Sequence, residues 1–141
     1  MMEFFMAMIP PTVTHQEKKI RVVNGKPIVY EPDELKAARS KLLAHLSGHK
    51  PPERIHGPIK LNVWWCFPAD DKHPSNTWRI TKPDTDNLQK LLKDCMTETG
   101  FWEDDAQVCM ESVQKIWNDV PGIYISLMQL QESKEKHEKQ S

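Results

Sequence analysis

The sequence predicts an α+β fold, a mixed but mostly antiparallel sheet with two main helices, and three observations carry that prediction. Two segments repeat apolar residues at helical spacing: Leu35, Ala38, Leu42 and Leu46, then Leu88, Leu91, Leu92, Cys95 and Met96. One segment sets Ile59, Leu61, Val63, Trp65 and Phe67 on alternate positions, the period of a strand buried on one face. Further β-rich runs precede the first helix and follow the second. The resulting order β-ββ-α-β-α-ββ suits a sandwich in which helices cover a sheet.

Taken in order, the first strand reads as Glu3 to Ile9, stopped by Pro10 and Pro11. Lys18 to Val23 and Pro27 to Tyr30 flank Asn24-Gly25, a hairpin signal because both turn residues tolerate positive φ. A helix follows from about Pro32 to Leu46. Proline suits its first position, Asp33 and Glu34 complement its positive end, and Gly48 marks its stop. After the strand Ile59 to Phe67 comes a polar loop, Ala69 to Asn76. The second helix runs from about Asp84 to Thr99, with Gly100 as a suitable terminating residue. Strands at about Gln107 to Trp117 and Ile123 to Leu130 close the unit. The chain of 141 residues is long enough for one core. The expected division is a single domain, 1–130, and a polar tail, 131–141, whose composition predicts disorder.

Composition excludes several classes. The apolar run Phe4 to Ile9 is far too short to span a bilayer. It lacks the basic leader and small-residue cleavage site of a secretory signal, so the expected location is cytoplasmic, without membrane contact. Cys66, Cys95 and Cys109 form no C-x-x-C pair and leave an odd count, which predicts reduced, mostly buried thiols. The formal net charge is −1. It is unevenly spread: His15 to Lys60 holds ten Lys/Arg against five Asp/Glu, whereas Leu61 to Asp105 holds five against nine. A basic half beside an acidic half suits a protein that grips phosphates with one surface and a metal with another.

The informative stretch is Asp84-Thr85-Asp86-Asn87-Leu88-Gln89-Lys90, followed by Trp102-Glu103-Asp104-Asp105. Asp84 and Asp86 fall at the mouth of the second helix, where their carboxylates can converge just outside it. Lys90 lies one turn after Asp86 on the same face, opposite the apolar stripe, so this side looks outward. Asp104 and Asp105 follow the helix in a segment that must run back, which can bring one of them beside the first pair. Clustered carboxylates repel each other unless a cation neutralises them. Oxygen-only ligands favour Mg²⁺ or Mn²⁺ over Zn²⁺. Such a metal polarises a phosphoryl oxygen and activates water, and a nearby lysine stabilises the charge of the transition state. The same residues also admit an ordinary reading, a capping aspartate and a surface Asp86–Lys90 ion pair.

The two runs, D-T-D-N-L-Q-K and G-F-W-E-D-D-A-Q-V, resemble the RusA family of Holliday junction resolvases, tightly from Lys82 to Val108 and more loosely over Glu3 to Leu130. Thr12 to Lys26 departs from the family pattern. The resemblance implies a homodimeric, Mg²⁺-dependent endonuclease, with Mn²⁺ as a substitute ion, that nicks four-way junction DNA symmetrically in recombination and repair. It implies metal binding by Asp84, Asp86 and Asp105, and a catalytic role for Lys90. Asp104 matches the acidic neighbour of the third ligand. Apolar residues available for a dimer interface include Phe4, Phe5, Met6, Met8, Trp64 and Met128.

Other candidates carry less. His45 and His49 have metal-compatible spacing but no acidic or cysteine partner to match. Among the tryptophans, Trp65 belongs to the buried alternation, while Trp78 is the candidate for stacking on exposed bases. Of the cations Lys18, Lys19, Arg21, Lys26, Lys72, Arg79 and Lys82, the pair Arg79 and Lys82 just before Asp84 are the leading candidates for DNA phosphates. Two alternatives stand beside the resolvase: a protein that binds junctions without cutting, and a metal-dependent nuclease for another branched DNA or RNA.

Overall fold

The computed structural model describes residues 1–14 and 19–133. Its strands are β1 (Met2–Met6), β2 (Lys19–Val23), β3 (Lys26–Tyr30), β4 (Ile59–Pro68), β5 (Thr77–Trp78), β6 (Val108–Asn118) and β7 (Gly122–Gln129). The helices are α1 (Asp33–Ser47) and α2 (Thr85–Thr99), with a single 3₁₀ turn at Asp105–Gln107. Lys18 and the tail from residue 134 lie outside the described residues, and with them the expectation of a disordered tail.

The main sheet has the order β1-β7-β4-β6-β5, and β2-β3 form a separate pair. Strands β4 and β6 are parallel, with β5 and α2 lying between them in the chain; the other neighbours are antiparallel. The mixed α+β architecture is therefore as expected. Alternation in β4 decides which way the sheet faces. Ile59, Leu61, Val63, Trp65 and Phe67 are each 1% exposed or less, and they pack with Leu35, Leu42 and Leu46 of α1 and with Leu88, Leu91, Leu92, Cys95 and Met96 of α2. Removing each such side chain from water contributes about 1.5–3 kcal/mol before entropy is counted. Both helices thus lie on one face of the sheet.

Local chemistry explains the connections. Asn24 and Gly25 take φ of 52° and 77°, the paired positive values of a tight hairpin. Gly100 takes φ of 102° and its N–H bonds back to the carbonyls of Met96 and Thr97, which closes α2. Pro32 precedes α1 instead of opening it. At ψ 152° it caps the helix through its carbonyl, which accepts from Leu35 and Lys36.

Two elements differ from expectation. β1 ends at Met6 and not at Ile9, because its partner β7 begins at Gly122 and the ladder runs out at the Met6–Ile123 pair. Thr77 and Trp78, between the polar loop and the second helix where no element is expected, form an edge strand on β6. That strand is too short to leave a periodic signal. Of the thiols, Cys66 and Cys95 are buried and Cys109 is exposed. Burial pushes Cys95 up to about 11, which leaves it a neutral, inert thiol. Among the described residues no helix is long and apolar enough to cross a membrane.

Candidate active site at the mouth of the second helix

Strand β6 supplies the floor. Its register sets Glu111, Val113, Lys115 and Trp117 opposite Leu61, Val63, Trp65 and Phe67, so all four point toward the helices. Helix α2 crosses above this row and faces it with a polar edge. Asp86, Gln89, Lys90 and Lys93 of α2, Asp105 of the 3₁₀ turn, and Glu111 and Val113 of β6 line one open cleft.

Three of the four residues singled out by their motif therefore meet in one place. Asp86 and Lys90 are exposed, as their position opposite the apolar stripe requires, and Asp105 is half-buried. No ion pair joins Asp86 to Lys90. Asp84 stands on the other side of Asp86, in an adjoining groove with Thr12, Thr14, Lys82, Pro83 and Asn87. It caps α2: Oδ1 accepts from the Asn87 backbone N–H at 2.8 Å and Oδ2 from Asn87 Nδ2 at 3.2 Å. Asp86 is the residue shared by both hollows.

The Asp104–Asp105 pair separates cleanly. Asp104 caps the 3₁₀ turn, its Oδ1 accepting from Ala106 N at 2.9 Å, while Gln107 Oε1 reaches back to the N–H groups of Glu103 and Asp104. Asp105 faces the cleft. We expect Asp104→Asn to keep near-wild-type nuclease activity, because asparagine caps as well as aspartate. Asp105→Asn should be severely impaired in the same cleavage assay.

The cleft also contains residues that the motif did not indicate. Gln89 is 5% exposed. Its Oε1 accepts from Trp65 Nε1 and its Nε2 donates to Glu111 Oε2, both at 2.7 Å, which ties the core to the cleft floor. Lys93 Nζ lies 3.0 Å from Glu111 Oε1. A signal for Gln89 did exist, since it sits three residues before Leu92 and seven before Met96, a polar residue within an apolar stripe. Glu111 had none.

Lys115 and Arg79 brace the segment that leads into α2. Lys115 Nζ donates to the carbonyls of Thr81 and Pro83, and Arg79 donates to the carbonyl of Lys82. Burial first and the nearby Arg79 second hold the Lys115 ammonium below the ordinary lysine range, against the pull of Asp84. Arg79, a candidate DNA contact, thus has its guanidinium turned inward onto the backbone, between Phe67 and Trp117. Lys82 is exposed beside Asp84. Trp78 is 67% exposed, and by its pairing with Ile116 it lies on the sheet face away from the helices, outside the cleft. His49 stacks on Phe4, with ring centroids 4.4 Å apart.

Donor chemistry fits a hard divalent cation: the carboxylates of Asp84 and Asp86 are exposed at the positive end of α2, and half-buried Asp105 lines the same cleft as Asp86. As the side chains stand, no three His, Cys, Asp or Glu among the described residues form a ready-made metal group.

Comparison with known proteins places the chain as a whole. Over 130 residues the chain is 31% identical to "Crossover junction endodeoxyribonuclease rusA" of Lactococcus phage r1t, covering 91% of this chain and 96% of that protein. It is 27% identical over 119 residues to the uncharacterized protein YqaN of Bacillus subtilis, covering 76% and 82% respectively. A sequence model described as "Endodeoxyribonuclease RusA" matches residues 9–128, which takes in the whole cleft. On the extent of these two matches, this chain belongs to the RusA endodeoxyribonuclease family.

Proposed function

We propose that this protein is an Mg²⁺-dependent endonuclease that resolves four-way DNA junctions by hydrolysing one phosphodiester per active site. The observation that carries the reading is the meeting of Asp86, Lys90 and Asp105 in one open cleft, with Asp84 beside them at the helix mouth. Asp84, Asp86 and Asp105 would hold the ion. When bound, it supplies Lewis-acid activation of the scissile phosphate and of water. Lys90 places a positive charge where the phosphoryl oxygens gain negative charge. Asp84 fixes the first turn of α2 by capping it, and Gln89 keeps Glu111 and the cleft floor in place. Lys82, exposed at the rim, suits a phosphate further along the strand. The likeness to the phage r1t protein supports a junction as substrate. Labelled four-way junction, duplex and RNA, each with and without Mg²⁺, test the reading. Cleavage should require both junction and metal, and equal cutting of RNA would replace the junction reading.

The working unit we propose is a two-fold homodimer, since a junction needs two symmetric nicks and each chain offers one cleft. Support comes from apolar surface left uncovered in one chain. Ile20, Val22 and Val29 share one face of the β2–β3 hairpin and are 68%, 71% and 63% exposed. Neither strand packs appreciably on another element, and an isolated hairpin is marginal in water. Phe5 and Trp64 are likewise exposed, in one row across the sheet face opposite the helices. Met6 and Met8, by contrast, are buried in the chain's own core and leave the set of interface candidates. Light scattering should give twice the chain mass of 16.4 kDa, and Val22→Lys/Val29→Lys should shift it toward monomer. A wild type that stays at one chain mass with full junction activity would defeat the dimer.

A further inference from the structure

Between the sheet edge and the first turn of α2, three consecutive carbonyls are gripped by two cations. Lys115 Nζ donates to Thr81 O and to Pro83 O, each at 2.7 Å. Arg79 takes the carbonyl between them, that of Lys82, with Nε and Nη2 together. The grip is itself held. The guanidinium carbon of Arg79 is 4.1 Å from the ring centre of Phe67 and 4.6 Å from that of Trp117. Lys115 and Trp117 belong to the same row of β6 side chains that floors the cleft. The very next residue after Pro83 is Asp84, and two further on is Asp86.

We propose that Lys115, backed by Arg79, is a positioning residue that sets the direction of Asp84 and Asp86. The proposal rests on the reading of the cleft as a metal site. Carbonyls in an exposed turn otherwise bond to water and leave the chain free to pivot. An ammonium shared between two of them fixes the position of the turn against the central sheet. Asp84 is then delivered at a set height, and its cap sets the rotation of the first turn that carries Asp86. Proximity adds a second effect, because a cation near Asp84 offsets its repulsion with Asp86 before an ion arrives. Lys115 Nζ bonds to the carbonyls of Thr81 and Pro83 and to neither Asp84 nor Asp86, so it positions them through the backbone, with its charge as the lesser effect.

The test uses the full chain as wild type, Lys115→Met and Lys115→Arg. Mn²⁺ binding without DNA is measured by calorimetry, the Mg²⁺ dependence of junction cleavage in parallel, and junction affinity in Ca²⁺. Loss of an outer partner of metal ligands costs about 10–100-fold in affinity, so Lys115→Met should weaken Mn²⁺ and raise the Mg²⁺ requirement by a factor in that range. Junction affinity should hold. Lys115→Arg should recover most of both, because a guanidinium also donates to two carbonyls. Wild-type Mn²⁺ affinity in a folded Lys115→Met overturns the proposal, as does a loss of activity that tracks only a lowered Tm. If Lys115→Met does not fold, Lys115→Gln, which keeps a donor, is judged on the same two quantities. A wild type that binds no Mn²⁺ and cuts nothing in Mg²⁺ defeats the metal reading itself, so the two failures are distinct.

Discussion

Asp86→Asn should bind four-way junction DNA and fail to cut it. Asp86 is exposed in the first turn of α2 and lines both hollows, so an ion placed anywhere between Asp84 and Asp105 meets it. Asparagine keeps the shape and removes the charge. Loss of one anionic ligand weakens the ion and raises the pKa of the water it activates, effects worth several kcal/mol together. A loss of about 4 kcal/mol is a rate decrease on the order of 10³. Binding should persist or tighten, since the substitution removes a negative charge that faces phosphate. The fold should be unaffected, because the carboxylate packs against no core residue. Gel shift in Ca²⁺ and cleavage in Mg²⁺ give the two readings. Cleavage near the wild-type rate would remove Asp86 from the ligand set.

Lys90→Ala should reduce cleavage by about 10²–10³, the usual cost of one preorganised donor at a charged transition state. The lysine makes no ion pair with Asp86, so its ammonium remains available to substrate. Its side chain points away from Leu88, Leu91 and Leu92, and the melting temperature should barely move. The Mg²⁺ requirement should also change little, which separates this role from that of the aspartates. Unfolding of Lys90→Ala by circular dichroism would show instead that the residue is structural.

Much of the fold was legible because each element announced itself locally. The apolar stripe of α2 and the alternation of β4 are short-range patterns, and every residue they assigned to the core is buried. Asn24-Gly25 and Gly100 carry their backbone angles in their side chains, or in the lack of one. The motif also put Asp86 and Lys90 on the outward side of α2, since helical geometry alone decides that. Edge strand β5 escaped notice because two residues have no period.

The rest depended on which strands become neighbours. Spacing by itself does not separate Asp104 from Asp105, and the family resemblance favours Asp105; the 3₁₀ turn spends Asp104 on its own N–H groups and presents Asp105 to the cleft. Arg79 reads in the sequence as a candidate phosphate contact and Lys115 carries no signal; only the packing of β5 and β6 turns both onto the carbonyls before α2. Glu111 enters the cleft because β6 pairs in parallel with β4 and sets it opposite Leu61, a pairing between segments some fifty residues apart. Sequence alone determined the helices, the central strand and the chemical kind of the site, because those follow from side chains a few positions apart. Tertiary structure alone decided what floors the cleft and what braces the segment leading into it, because those depend on contacts between segments distant along the chain.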